Sequence, residues 1–384
     1  MARAREMARR IGERLLGEMA TNQTAWRGLA GTPGTALTFG ALGSSTGESR
    51  YWDAANRQLA AAARADDAPS IGLFSGISGL RAVAAIFSRS APHLQKLVDQ
   101  CDAYVESKLP DAEEVRVVDM DTYDVISGWS GARLARCVLG PAKPDRLVTL
   151  LAWLMTDDAR WCKAHPLRPN EEPENDIGLA HGISGSLAAL ALTTTDMEPD
   201  LRSLLESQAA RLASRSFRNG ACIGWSCCLQ ATTEPMRPAW CYGGTGVAAA
   251  LYWVARLLAD KPLESFALDA LESIAALPPS DWGHTDFALC HGTLGNALVL
   301  ASVGMASQRA SLLSGTGRAV EYALDGLERD GGACFGLDWD MQVRDLAGEL
   351  DGAAGIALAL LTLCGDTDST WVRLHALHPF KLSE

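Results

Sequence analysis

The sequence predicts an all-α fold assembled from seven helix-pair repeats. Three observations carry that expectation: a Gly-x-x-Gly motif recurs along the chain, a small and aliphatic run follows most copies, and strand-like alternation is scarce. The motif stands at Gly31/Gly34, Gly76/Gly79, Gly128/Gly131, Gly182/Gly185, Gly243/Gly246, Gly292/Gly295 and Gly352/Gly355, spaced 45 to 61 residues apart. Two further matches, Gly28/Gly31 and Gly40/Gly43, crowd the first copy and fall out of register. One such motif carries no information. Seven at a quasi-regular period mark a repeat architecture.

Each repeat reads as two helices. Glycine is poor inside a helix but suits the turn that opens one. The runs after the motif, such as Gly182 to Leu192 and Gly352 to Leu361, are nearly all small or aliphatic. They read as buried inner helices, closely packed because the first turn is small. Between motifs the pattern turns amphipathic: Leu201, Leu204, Leu205, Ala209 and Leu212 share one face, with Arg202, Glu206 and Arg211 largely elsewhere. Tyr322, Leu324 and Leu327 give a shorter version before the last motif. An outer and an inner helix of roughly 12–18 residues each, with loops, account for a period near ~50. Length alone would suggest two or three domains. The repeat argues instead for one domain over residues 1–384.

At the N-terminus, Met1 to Ala20 carries Arg3, Arg5, Arg9, Arg10 and Arg14 with acids between them. It lacks the uninterrupted apolar core of a secretory signal and reads as an amphipathic surface helix. Thr21 to Ala30 reads as a loop into the first motif. Val115 to Asp119 is the only short strand candidate, and Pro166 to Pro173 and Pro278-Pro279 read as loops. From Phe287 to Gln308 the chain has no Asp, Glu, Lys or Arg, long enough to suggest a membrane span. Cys290, His291, Thr293, Asn296 and Ser302 interrupt it, and its glycine pair sits where a helix should open. A buried inner helix explains it better.

Composition narrows the function classes. The chain is 48% hydrophobic with a net charge of −12, which disfavours a nucleic-acid binder or a polybasic membrane anchor. Its ten cysteines (Cys101, Cys137, Cys162, Cys222, Cys227, Cys228, Cys241, Cys290, Cys334 and Cys364) are scattered, with no signal peptide. That usage points to free thiols in a reducing cytoplasm, most of them small core residues.

The residues just before each motif change in an orderly way. Repeats one to three have Leu29-Ala30, Phe74-Ser75 and Ile126-Ser127, whereas repeats four to six have Ala180-His181, Cys241-Tyr242 and Cys290-His291. Repeat seven has Leu350-Asp351, with Asp351 expected as a helix cap. If the repeats close into a ring, equivalent positions lie at one height around its axis. Three consecutive units would then bring Cys241, Cys290, His291 and His181 toward one spot at the mouth. Two thiolates and an imidazole are zinc ligands that leave a fourth position open, as catalytic zinc sites do. The bland alternative is core packing near a helix start. Cys222, Cys227 and Cys228 form a rival cluster outside the repeat slots.

Gly178-Leu-Ala-His181-Gly, Trp240-Cys-Tyr-Gly-Gly-Thr-Gly246 and Cys290-His-Gly-Thr-Leu-Gly295 resemble the three signature motifs of the lanthionine synthetase C-like family. The resemblance implies an α/α toroid, a double α-barrel, with a central zinc ion. It implies a reaction as well: addition of a cysteine thiol to dehydroalanine or dehydrobutyrine in a precursor peptide, giving thioether rings. A dehydrated precursor peptide as substrate, a separate dehydratase and a peptide exporter as a further candidate partner follow from it. So does a cytoplasmic location, with peripheral membrane association through such a complex.

The residue inventory suits that chemistry. Only the thiolate attacks well, and zinc favours the deprotonated form. Attack on the β-carbon leaves an enolate that needs a proton, for which His181 has the right type and slot. The family also uses an Asp, an Arg and a Tyr, which Asp124, Arg237 and Tyr242 resemble. Asp124 would orient His181, and Arg237 would stabilise the enolate oxygen. Structural alternatives stand beside these: a cap or turn for Asp124, a surface place in the Thr232–Pro238 loop for Arg237, packing for Tyr242. Gly244-Thr245 departs from the bulkier residue often found after Cys-Tyr-Gly in relatives, which bears on substrate contacts at this rim. Two other activities share the inventory: addition of glutathione or another thiol to dehydrated residues, and a zinc-stabilised peptide-binding scaffold.

Overall fold

The computed structural model describes residues 1–19, 27–65, 69–112, 114–115, 118–161, 174–220, 222–230, 236–337 and 343–382. In chain order its helices are α1 (Ala2–Met19), α2 (Thr32–Thr46), α3 (Ser49–Arg64), α4 (Ile77–Ser88), α5 (Gln95–Lys108), α6 (Met120–Tyr123), α7 (Trp129–Arg136), α8 (Arg146–Met155), α9 (Ile183–Thr193), α10 (Pro199–Ser214), α11 (Gly244–Leu258), α12 (Lys261–Ala275), α13 (Thr293–Ser307), α14 (Ala310–Arg329) and α15 (Ala353–Leu363). Among the described residues two short antiparallel strand pairs accompany them: β1 (Phe217–Asn219) with β2 (Cys222–Gly224), and β3 (Phe335–Leu337) with β4 (Val343–Asp345). Three-residue strands are too short to show alternation, so the sequence pattern missed them.

All seven motifs open an inner helix. The first glycine is the N-cap residue of α2, α4, α7, α9, α11, α13 and α15 in turn. The second glycine lies in the first turn, where the preceding loop folds back onto the helix. A Cβ on Gly295 would lie 1.9 Å from the Leu289 carbonyl oxygen, and one on Gly355 1.7 Å from that of Glu349. Only a hydrogen fits there.

The inner helices pack side by side in the order α2, α4, α7, α9, α11, α13, α15, and α15 returns to α2. The architecture is therefore an α/α toroid. Outer helices α3, α5, α8, α12 and α14 each pack on the inner helix before them, and α10 packs on α11, the inner helix after it. The seventh outer helix is α1, the amphipathic helix expected at the N-terminus, and its apolar face has a partner that the sequence did not name. Ala4, Met7, Ala8, Ile11 and Leu15 are buried, and α1 packs along α15. The chain's first helix thus completes its last repeat. Tyr322 is a correction: it is 37% exposed, while Leu312, Ala319, Ala323, Leu324 and Leu327 form the buried stripe of α14. Positions 319, 323 and 327 follow the four-residue step that 322 breaks.

The loops before successive motifs are tied by backbone hydrogen bonds. Leu29 N donates to Leu73 O at 3.0 Å, Phe74 N to Ile126 O at 2.9 Å and Val125 N to Ala180 O at 3.0 Å. Leu179 N donates to Cys241 O at 2.8 Å, Cys241 N to Cys290 O at 3.0 Å and Cys290 N to Leu350 O at 3.0 Å. This ladder holds the equivalent slots of all seven repeats at one end of the ring.

The chain's end fills the ring's interior. A 3₁₀ segment, Ser369–His375, buries Trp371, Arg373 and His375. Arg373 donates to the carbonyls of Cys137 and Val138 behind α7, and Ser302 of α13 donates to His378 O. Trp240 Nε1 donates to His375 O at 2.8 Å. The motif end is thus the open end.

Among the described residues no helix is long and apolar enough to cross a membrane. The uncharged stretch after Phe287 contains α13, buried from Thr293 to Gly304. Pro279 begins a 3₁₀ turn to Trp282. The Pro166–Pro173 loop lies outside the described residues, as do Cys162, residues 116–117 of the strand candidate, and most of the two loops expected at Thr21–Ala30 and Thr232–Pro238.

Candidate active site and metal centre

The ladder brings two sulfurs together. Cys241 N bonds directly to Cys290 O, so the two cysteine slots are adjacent backbone positions across repeats five and six. The donor atoms of Cys241, Cys290 and His291 lie within 4.8 Å of one another. Donors around one zinc, at about 2.0–2.3 Å from it, stand roughly 3.5–3.8 Å apart, so this spacing needs only side-chain adjustment. Cys241 is held below the ordinary thiol range by a hydrogen bond from Cys290, aided by the nearby His291, His181 and Arg237 charges. Cys290 is correspondingly pushed well up, by the same contact and by burial.

Carboxylates flank the imidazole of His291. Its Nε2 lies 3.2 Å from Asp286 Oδ2 and its Nδ1 3.9 Å from Asp351 Oδ1. Neither approach is a directional hydrogen bond: Nε2, Asp286 Oδ2 and Asp351 Oδ1 are buried without a hydrogen-bond partner. Buried polar atoms left over around two thiols and an imidazole fit a cation. Burial works against charge on His291, yet the Asp286 carboxylate outweighs it and holds the imidazole above its ordinary pKa. Asp351 is no helix cap, since Gly352 caps α15 without side-chain help. Burial, with Asp286 nearby, raises its carboxyl to about 6.

His181 stands in the same slot as His291, two repeats earlier. Its Nδ1 lies 2.6 Å from Asp124 Oδ2. Asp124 is fully buried just after α6, and its Oδ1 accepts from Ser127 N at 2.6 Å. The turn and the imidazole thus share one carboxylate. Burial opposes charge on His181, but the Asp124 hydrogen bond and charge prevail, leaving the imidazole above its usual range.

Tyr242 and Arg237 frame the same spot. The Tyr242 hydroxyl donates to Asp176 Oδ2 at 2.5 Å, and its ring lies 6.3 Å from that of His181. Burial, then Asp176, push the phenol far above its ordinary pKa, so it stays protonated. Arg237 Nη1 donates to Gly283 O at 3.4 Å, and its charge reaches Cys241. Its backbone is fixed by Gly243, whose φ of 78° is left-handed and whose missing Cβ would lie 2.3 Å from Arg237 O. His284 Nε2 and Asn296 Nδ2 both contact Pro238 O, at 2.6 and 3.0 Å. Gly244 and Thr245 are not at the substrate rim: Gly244 faces Ile274 and Ile223, and Thr245 is fully buried.

Two acids were missed by reading only the pair before each motif. Asp176 and Asp286 each stand six residues before the first glycine, in repeats four and six. Their Oδ1 atoms accept from Gly178 N at 2.8 Å and Ala288 N at 3.0 Å, and their Oδ2 atoms face Tyr242 and His291. Comparing that earlier slot across repeats would have found both. The rival cysteine cluster divides: Cys222 lies on β2 with its Sγ 3.7 Å from Ser273 O, while Cys227 and Cys228 gather with Glu174. The nine cysteines among the described residues are free thiols.

The sequence matches the lanthionine synthetase C-like protein family over residues 26–375. The chain belongs to that family. Its fold is similar to that of the solved structure of nisin cyclase, with a TM-score of 0.77 and 16% identity over 96% of each chain. No curated protein matches the sequence.

Proposed function

We propose that the protein is a zinc-dependent cyclase that adds cysteine thiols of a dehydrated precursor peptide to dehydroalanine or dehydrobutyrine, forming thioether rings. The observation that carries this reading is the meeting of Cys241, Cys290 and His291 at the open end of the toroid, in a chain of this family. These three would hold the ion. When bound, zinc would favour the thiolate form of a substrate cysteine. Asp286, beside His291, would orient that ligand, as carboxylates do for metal-bound imidazoles.

The remaining residues divide the reaction. The substrate thiol would give up its proton to solvent; its sulfur pair would form the C–S bond at the β-carbon while the alkene pair moves onto the α-carbon and carbonyl. Arg237 would stabilise the enolate oxygen. His181, kept charged by Asp124, would deliver the proton to the α-carbon. Tyr242, protonated on Asp176, would present a neutral hydroxyl and ring beside His181. We further propose one toroid domain over residues 1–384, supported by a hydrophobic cluster running from Ala4 to Leu377. A separate dehydratase would supply the substrate, and an exporter would be a further partner.

The test is mass spectrometry of a dehydrated Cys-containing peptide after incubation, with thiol alkylation to count free cysteines. Fewer alkylated cysteines at unchanged peptide mass is the expected result. Unchanged alkylation with a zinc-loaded enzyme would overturn it.

A further inference from the structure

We propose that Glu174, Cys227 and Cys228 form a second metal site, for a zinc-class divalent ion, separate from the Cys241–Cys290–His291 group. This inference does not rest on the cyclase reading.

Three features carry it. The donor atoms of Glu174, Cys227 and Cys228 lie within 4.8 Å of one another, the same closeness as in the first group. Two thiols and a carboxylate are a donor set that zinc accepts, with a fourth position for water. Glu174 and Cys227 are half-buried and Cys228 is buried, so the donors are largely withdrawn from solvent.

The donors are also placed by backbone. Ile177 N donates to Cys227 O at 2.9 Å and Leu229 N to Asn175 O at 3.0 Å, pairing the two segments in antiparallel fashion. Asn175, only 2% exposed, locks the pair: its N donates to Gln230 Oε1 at 2.9 Å and its Oδ1 accepts from Gln230 Nε2 at 2.7 Å. Its Nδ2 donates to Asp158 O at 2.9 Å. The thiols and the carboxylate thus face one another before any ion arrives, which lowers the ordering cost of binding. Sequence proximity alone pointed to Cys222 as the third member, and β2 carries it away.

The position gives the ion a structural task. Asp176, two residues beyond Glu174, accepts the Tyr242 hydroxyl. An ion joining Glu174 to Cys227 and Cys228 would staple the segment that holds Asp176, and through it Tyr242.

The experiment uses the full chain, stripped with a chelator, reloaded with Zn²⁺ or Co²⁺ and desalted. Wild type should hold two ions per chain. Cys227→Ser/Cys228→Ser and Cys241→Ser/Cys290→Ser should each hold one, and each should lose part of the thiolate-to-cobalt absorption. Glu174→Gln, the milder change, should keep its circular dichroism and weaken one of two sites by at least the roughly 10–100-fold seen on losing an outer-shell partner. One ion in wild type, retained in Cys227→Ser/Cys228→Ser, would overturn the proposal and leave the first site standing. One ion lost only in Cys227→Ser/Cys228→Ser would support this site and sink the zinc reading at Cys241. Two ions per chain with unaltered affinity in Glu174→Gln would remove the carboxylate from the donor set and overturn the site as stated.

Discussion

Repeats one to three and repeats four to six present the same backbone at the mouth of the ring and different side chains. Each has its loop folded over a glycine and its rung in the hydrogen-bond ladder. The first half places Leu29-Ala30, Phe74-Ser75 and Ile126-Ser127 there, where the Ser75 hydroxyl bonds to those of Ser127, at 3.1 Å, and Ser70, at 3.2 Å. The second half places His181, Cys241, Tyr242, Cys290 and His291. Scaffold and chemistry are therefore separable. The repeat decides where a side chain goes, and the residue in the slot decides whether anything happens there.

The most severe break in that comparison is Cys290→Ala. It should abolish zinc retention at the first site and cut ring formation by at least about 10³-fold, as expected of an ion worth several kcal/mol in the transition state. Metal analysis and the alkylation assay check both. His181→Ala should keep zinc and the fold yet lose roughly 10²–10⁴-fold in rate, the usual worth of a general acid. Its pH arm is Asp124→Asn. The folded pKa of His181 lies above its ordinary value, so the charged form is present at low pH and lost as pH rises through the raised value. Without the Asp124 charge that loss moves to lower pH, and the alkaline limb of kcat/KM should move with it; a fixed limb would assign the titration to another group.

Asp286→Asn should weaken zinc about 10–100-fold in chelator competition while leaving the helix content unchanged. Equal affinity would make Asp286 a turn residue only. On the scaffold side, Gly79→Ala should destabilise by more than about 3 kcal/mol in denaturant titration, although no proposed ligand or catalyst is in its repeat. Its Cβ would lie 2.5 Å from both Leu29 N and Leu73 O, and an unchanged midpoint would mean that the loops yield. The smallest effect belongs to Ser75→Ala, within about 0.5 kcal/mol of wild-type stability and with full activity. A rate loss there would show that the first half of the mouth touches the peptide.

Much of this was legible in the residues themselves. The glycine spacing, the apolar runs and the slots of Cys241, Cys290, His291 and His181 are local patterns, and local patterns survive reading one chain. Inner helices α2, α9, α13 and α15 carry no charged residue because they are buried on nearly every side, so composition alone reported them. Asp176 and Asp286 were legible in principle, at a slot six residues ahead of the motif.

What the tertiary structure alone decided has a common cause, contact across long sequence separation. Helix α1 joins α15 to close the ring, with more than 300 residues between them, and nothing in Ala4, Met7 or Ile11 names that partner. Asp124 meets His181 across 57 positions. Asp351 turns from an expected cap into a neighbour of His291, and Cys228 leaves Cys222 for Glu174. A period in the sequence can say that equivalent positions exist. Only closure of the chain on itself says which of them touch, because that depends on the rotation between units and on where the two ends meet.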